Sequence, residues 1–371
     1  MKPPRTRVVM VSAGFWPVVG GAERQALELS VALRARGAEV LVLTRRIGAA
    51  ASREEVRGVL VRRLPVFGTG ALDSLSFLFG AFGWLLKHGG EYDAIHAHLA
   101  GSPALAAAAA GRWLGKPVLV KLGGGRGIGE LAASSRTRLG RLKLRLLAML
   151  KPRFLAVVPD LAAEAREHLG GATIEVLPNG VDENRYKPVS AAEKKALRER
   201  LGWAGTVFLY TGRLSWEKRL PWFAKIWSEA AKDADAMLVI VGDGREVIPE
   251  SARVRVLPPV DDTAELYAAA DVFVLPSVSE GLSNSLLEAM SSGLAVLASA
   301  VGGTAETVED GKTGLLFDKD DAATATKQIK KIINDNELRA RLGTGARREV
   351  ERRYSIARVC ERLLELYRGG S

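Results

Sequence analysis

The chain has 371 residues, 47% hydrophobic and 26% charged, with a formal net charge of +11. That length and apolar content exceed one ordinary core and point to two domains. No apolar run is long enough to span a bilayer, and one cysteine with four histidines, lacking C-x-x-C or H-x-x-x-H spacing, argues against disulfides and a dedicated zinc site.

The opening MKPPRTRVVMVS lacks a signal-peptide profile, and Cys360 is expected to be a small buried hydrophobe in a reducing, cytoplasmic setting. The excess charge lies in one half: residues 1–180 hold 25 Lys/Arg against 13 Asp/Glu, and the remainder 28 against 29. Such asymmetry points to an anionic partner for the first domain only: a membrane surface, a phosphorylated acceptor or nucleic acid.

In chain order, residues 7–12 read as a buried strand, and 13–19 as a loop containing Phe15-Trp16-Pro17. Gly20-Gly21 lead into a helix over 22–36, Gly37 stops it, and a strand follows over 39–43, giving a βαβ unit. Further strands are expected over 59–64, 94–98, 117–120 and 154–158, with helices over 103–114, 134–150 and 161–169. The segment VLPNGVDENRYKP, 176–188, reads as a linker. A second strand–helix series starts at 206–211 and continues with helix 220–231 and strands 237–241 and 254–257. Helices over 263–269 and 322–334 and a long amphipathic helix over 347–367 complete it. The expected class is α/β with open parallel sheets covered on both faces. Domains are drawn at 1–178, joined by 351–371, and at 179–350.

Residues 271–300 carry the most chemistry. Val272–Leu275 is a short β-branched strand stopped by Pro276. A polar turn leads to a helix opened by Ser283-Asn284-Ser285, and Gly293 caps it before the next strand. The amides of Leu282, Ser283, Asn284 and Ser285 at that helix start form an anion site, and Glu280 and Glu288 hold fixed places beside it.

Ligands of open parallel sheets bind outside the strand carboxyl ends. In the second half those positions are Arg213 and Lys218, Gly242-Asp243-Gly244, Val260, and Glu280-Gly281 through Glu288. Two cations, a glycine turn, helix amides and two carboxylates describe a site for a nucleotide diphosphate carrying a sugar. Taken singly, Arg213 and Lys218 also fit solvated surface charge.

The pair Glu280/Glu288 in SEGLSNSLLEAMSSG, with GRLSWEK, VGDG, LPNGVD and PVVGGAERQ, resembles the retaining group-1, GT4-type glycosyltransferases in order and spacing over nearly the whole chain. The resemblance implies a GT-B fold. In it two Rossmann-like domains face each other, the acceptor on the first and the donor on the second, and the C-terminal helix crosses back onto the first. It implies metal-independent transfer with retention from a nucleotide-diphosphate sugar, without a cofactor. Arg213 and Lys218 would stabilise the leaving diphosphate, Glu288 would accept from ribose hydroxyls, and Glu280 from those of the moving sugar. Gly20 and Gly21 would let the backbone approach donor and acceptor, although a tight turn explains them equally. Relatives place a histidine after the strand 117–122. Here stands Gly123-Gly124-Gly125-Arg126, so His98, Lys121, Arg126 or Glu130 is left to replace it.

Residues 134–153 hold seven bases and no acid, with Leu139, Leu142, Leu146 and Met149 at helical spacing. They read either as an ordinary amphipathic helix with buried leucines or as an interfacial helix on anionic lipid beside a lipid-linked or cell-surface glycan acceptor. Aromatics do not interleave with these bases, which argues against nucleic acid. The expected function is therefore a cytoplasmic, peripheral-membrane glycosyltransferase of polysaccharide or lipopolysaccharide assembly. A nucleotide-sugar epimerase and a non-enzymatic basic module are the alternatives.

Overall fold

The computed structural model describes residues 5–17, 20–249, 251 and 253–370. Val18 and Val19 of the PVVGGAERQ stretch lie outside the described residues. The chain divides into two compact units, residues 1–180 with 356–371, and residues 181–355. The returns fall a few residues beyond 178 and 350, because the helix Asn336–Arg353 runs unbroken past 350.

The first unit holds β1 (Arg7–Val11), β2 (Glu39–Arg45), β3 (Arg53–Val56), β4 (Val59–Leu64), β5 (Ala94–His98), β6 (Val118–Lys121), β7 (Arg153–Ala156) and β8 (Ile174–Val176). Their spatial order is β3-β4-β2-β1-β5-β6-β7-β8. All neighbours are parallel except the edge strand β3, which runs antiparallel to β4. Alternation along the strands separates two faces. Val8, Met10, Val40, Val42, Leu119 and their neighbours form one core with the helices Gly21–Ala35 and Ile356–Tyr367. The other face carries helix Ser102–Leu114, where a Cβ on Gly111 would meet Val118 at 2.0 Å.

The second unit holds β9 (Thr206–Thr211), β10 (Ala236–Val241), β11 (Val254–Leu257), β12 (Val272–Leu275), β13 (Ala295–Ser299) and β14 (Gly314–Phe317). The order is β11-β10-β9-β12-β13-β14, parallel throughout. The sheet's sequence order reverses between β9 and β12, which opens a crevice at their carboxyl ends. Central strands are buried on both faces, which explains their continuous apolar runs. Asp271 anchors the start of β12: it pairs with Lys194 at 2.8 Å and with Arg198, and it accepts from the Val207 amide at 2.8 Å.

Several elements differ from expectation. The helix expected over 347–367 is two helices, Asn336–Arg353 and Ile356–Tyr367, interrupted where the Val181 amide bonds the Tyr354 carbonyl at 2.9 Å. The basic segment is likewise split into Glu130–Ser135 and Arg138–Leu150. The 17-residue helix Ala71–Lys87 was not expected. It is apolar nearly all round, so it lacks the polar–apolar contrast that reveals a surface helix. Among the described residues, no helix is long and apolar enough to cross a membrane.

Candidate functional site

In the second unit, five loops follow the carboxyl ends of β9 to β13, and the first two are joined through their backbones. The Gly212 amide donates to Val241 O at 3.0 Å and the Leu214 amide to Asp243 O at 2.6 Å. This packing leaves no room for side chains. A Cβ on Gly242 would stand 1.9 Å from Gly212 O, and one on Gly244 2.0 Å from Leu214 O, both at positive φ. VGDG is therefore a structural requirement of the crevice wall before it is anything else. Asp243 and Arg213 are exposed beside it.

The loop after β9 turns through a single helical turn, Trp216–Lys218, which aims Lys218 across the sheet. Lys218 Nζ donates to Glu280 Oε1 at 2.5 Å, and Ser277 Oγ donates to the same oxygen at 2.5 Å. Glu280 is 8% exposed and Ser277 wholly buried, so the carboxylate is held from two sides in a poorly hydrated setting. Its backbone is fixed as well: Gly303 N–H donates to Glu280 O at 3.1 Å, and Gly302 lies close enough that a Cβ would sit 2.3 Å from that oxygen.

Tyr210 and Glu217 complete the node. The Tyr210 hydroxyl donates to Arg213 O at 2.9 Å. Burial, then the charges of Glu280 and Glu217, push its pKa well above the ordinary value, so it remains a donor. Burial alone would raise Glu217, but the Ser215 hydroxyl at 2.6 Å and the nearby Lys218 and Arg213 charges hold it below its ordinary value.

Helix Asn284–Ser291 begins at its cap Ser283, whose hydroxyl accepts from the Leu286 amide at 3.3 Å and meets Ser285 Oγ at 2.9 Å. Leu282 and Asn284 are also engaged in polar interactions. Glu288 is 5% exposed within this helix, its carbonyl accepting from Ser292, and Gly281 is buried in the turn before it. Val260, past the end of β11, is exposed. Asp233 and Asp235 line an open recess at the amino-terminal end of β9, away from these loops.

In the first unit, Gly20 caps helix Gly21–Ala35, its amide donating to Glu23 Oε2 at 3.0 Å. His98 ends β5 at the loop edge, as expected, but its side chain is buried. With His96 it lies on the face of β5 covered by the C-terminal helix, ring on ring at 4.8 Å, and His96 Nδ1 meets the Tyr367 hydroxyl at 2.6 Å. Burial lowers His98 to about 3, aided by the Lys121 charge, and lowers Lys121 to about 8. Arg126 is exposed and paired with Asp160 at 3.0 Å and Glu167 at 2.6 Å. Glu130 accepts from the Gly123 amide at 2.9 Å, and burial raises its pKa.

Two family models match this chain, Glycosyltransferase Family 4 over residues 19–185 and Glycosyl transferases group 1 over residues 205–335. The chain is 30% identical to the 2-deoxystreptamine N-acetyl-D-glucosaminyltransferase of Streptomyces fradiae, over 95% of this chain and 92% of that protein. It belongs to the group 1, family 4 glycosyltransferases. It spans about half the length of several other curated relatives of this family. Among them is a GDP-mannose-dependent monoacylated alpha-(1-6)-phosphatidylinositol monomannoside mannosyltransferase of Corynebacterium glutamicum, 32% identical over 52% of this chain and 56% of that protein. Anabaena Alr3699/HepE, solved with UDP-glucose, superposes with a TM-score of 0.76 and 21% identity, over 98% of this chain and all of that one, so the GT-B fold is shared.

Ser277, Tyr210 and Gly303 were not anticipated as parts of the node. A single serine or tyrosine carries no spacing signal, and only the loop path brings them to Glu280 and Arg213.

Proposed function

We propose that this glycosyltransferase moves a sugar from a nucleotide-diphosphate sugar to a hydroxyl of a lipid-linked acceptor, with retention and without a metal ion. The observation that carries the reading is the buried Glu280 carboxylate held by Lys218 and Ser277 beside the glycine-lined loops at the strand carboxyl ends. Gly242, Asp243, Gly244, Val260 and the residues Gly281 to Ser285 receive the nucleotide diphosphate, and Glu288 accepts from its ribose.

Glu280 accepts from hydroxyls of the transferred sugar. Lys218 and Arg213 face the diphosphate, where negative charge grows as the bond from C1 to the phosphate oxygen breaks. They bind that charge more strongly in the transition state than in the ground state. The acceptor oxygen bonds C1 on the face the diphosphate leaves, and its proton passes to the departing phosphate oxygen. These two cations supply the charge that a metal ion supplies in other transferases. With His98 and Lys121 enclosed, Arg126 in the substituted loop and Glu130 bonded to it are the remaining candidates for the role of the family's histidine.

A lipid-linked acceptor is supported by the phosphatidylinositol-type substrate named for the Corynebacterium relative and by the basic helix Arg138–Leu150. Only Leu144 and Leu147 of that helix are in the core, whereas Leu139, Leu142 and Met149 are more than half exposed. The reading therefore includes an anionic membrane surface met by this helix, on the face where nucleotide sugars are present.

A thermal-shift panel of nucleotide sugars identifies the donor, since a ligand bound only by the folded state raises its apparent stability. Transfer from that donor should survive a chelator and fall by at least about a hundredfold in Glu280→Ala and in Lys218→Ala, the range seen when one transition-state donor is removed. Undiminished transfer in both variants would sink the site assignment. Donor isomerisation without acceptor would replace transfer by epimerisation.

A further inference from the structure

Helix Ala71–Lys87 presents an exposed apolar face. Phe77, Ala81 and Leu85 are fully buried and seat the helix on the sheet and on helix Ser102–Leu114. On the opposite side Leu72, Leu75 and Phe79, spaced by three and four residues, are 67%, 49% and 67% exposed. The helix has one acid and one base, and the acid, Asp73, is already paired with Arg45. At about 25 Å, from 1.5 Å per residue, it is too short to span a bilayer and long enough to lie along one.

A second helix in the same layer repeats the arrangement. Arg138–Leu150 also packs against Ser102–Leu114, burying Leu144 and Leu147 and exposing Leu139, Leu142, Leu146 and Met149 at intervals of three and four. Each of the first three exposed leucines follows an exposed arginine, Arg138, Arg141 and Arg145. Large exposed apolar surface on an otherwise well-packed unit marks an interaction site.

We propose that Ala71–Lys87 and Arg138–Leu150 form one footprint that seats the first unit on an anionic bilayer, the first helix supplying apolar contact and the second both apolar contact and charge. The proposal rests on the membrane surface invoked above for the basic helix alone and adds the second, uncharged half. Charge selects the occupant. Residues 134–153 carry seven bases and no acid, so a second copy docked symmetrically would set like charges face to face, whereas anionic headgroups complement them. Apolar side chains at the acyl boundary and arginines at the headgroups are the two components of interfacial binding.

The experiment is sedimentation of the full chain with phosphatidylcholine vesicles, with and without phosphatidylglycerol. The variants are Leu72→Ser/Leu75→Ser/Phe79→Ser and Leu139→Ser/Leu142→Ser/Met149→Ser. Because these side chains are exposed, melting temperature and nucleotide affinity should stay at wild-type values. Wild type should bind the anionic vesicles in a salt-sensitive manner, and each triple variant should bind about tenfold more weakly or worse. If the first variant binds like wild type while the second does not, the footprint is the basic helix alone and the proposal fails. If wild type does not bind anionic vesicles, the membrane reading fails with it, while sugar transfer, assayed separately, is untouched. If the first variant instead dissociates a wild-type dimer seen by light scattering, the face belongs to a second copy and the proposal is overturned.

Discussion

Replacing Ser277 by alanine removes one of two donors to Glu280 Oε1 and changes nothing else of comparable size. The hydroxyl is fully buried, and the bond it makes, 2.5 Å long, ends on a carboxylate that is 8% exposed. A hydrogen bond to a charged group contributes about 1.5–3 kcal/mol, and water cannot readily replace the donor in this setting. If the bond serves only folding, the loss appears as stability, about 3–12 °C in melting temperature for a unit of this size. If it aims the carboxylate at the transferred sugar, the loss appears in the transition state, and kcat/KM falls by roughly 10–150-fold. We expect the second outcome with only a small thermal shift. Lys218 still holds Glu280 in the resting protein, and in the proposed mechanism its positive charge turns to the diphosphate. The assay pairs steady-state transfer with calorimetric binding of the free nucleoside diphosphate, whose affinity should stay within about twofold because it makes no use of the sugar's hydroxyls. Wild-type kcat/KM together with a large melting shift would refute the positioning role of Ser277 and weaken the assignment of Glu280 to the sugar.

Two further predictions concern other parts of the molecule. Gly244→Ala places a Cβ against Leu214 O, a backbone atom that cannot turn aside, at a φ that L-residues rarely adopt. The strain is of order 1–3 kcal/mol, and nucleoside diphosphate affinity measured by calorimetry should drop about tenfold while the first unit's melting is unchanged. Acid should destabilise the first unit through its buried histidines. Burial and the Lys121 charge put His98 at about 3 in the folded chain, and burial, then His98 and Lys121, hold His96 well below its ordinary 6.5. The unfolded chain therefore takes up more protons between about 6.5 and 3, and stability present above 6.5 is lost progressively as pH falls through that window. At pH 5 His98 alone accounts for about 2 kcal/mol. The groups against it are His96 and Lys121, and the Tyr367 hydroxyl beyond His96; of these only the histidines titrate in this range. Urea midpoints at pH 7 and pH 5 should differ markedly less in His98→Gln than in wild type, and equal slopes would remove His98 from this account.

The parallel sheets were legible in the sequence because their strands are short, β-branched and bounded by Gly, Pro or Asn. The helix over 322–334 was legible because its buried Ala325, Ile329 and Ile332 recur at helical spacing. The group of residues around Glu280 was also visible as a set of loop positions at strand ends. That Lys218 and Ser277 converge on one oxygen was not, since it depends on the single turn after Leu214 and on Gly302 and Gly303 closing beneath the carboxylate.

Where the sequence misled, the cause lies in contacts far apart along the chain. An apolar helix such as Ala71–Lys87 carries no mark of which side will be covered, because its sequence is the same on both. His98 stands at the end of its strand as the sequence reads, but its side chain is closed off once the chain packs over that face. Periodicity and turn residues act within a few positions, and so the sequence by itself determined most of the strands and helices and their order, but not β3, β8, β14 or the helix Ala71–Lys87. Which faces are buried, and with them which titratable groups are silenced, was decided by pairings such as His96 with Tyr367, 271 residues away. Burial is a property of the packed chain, and local propensity does not contain it.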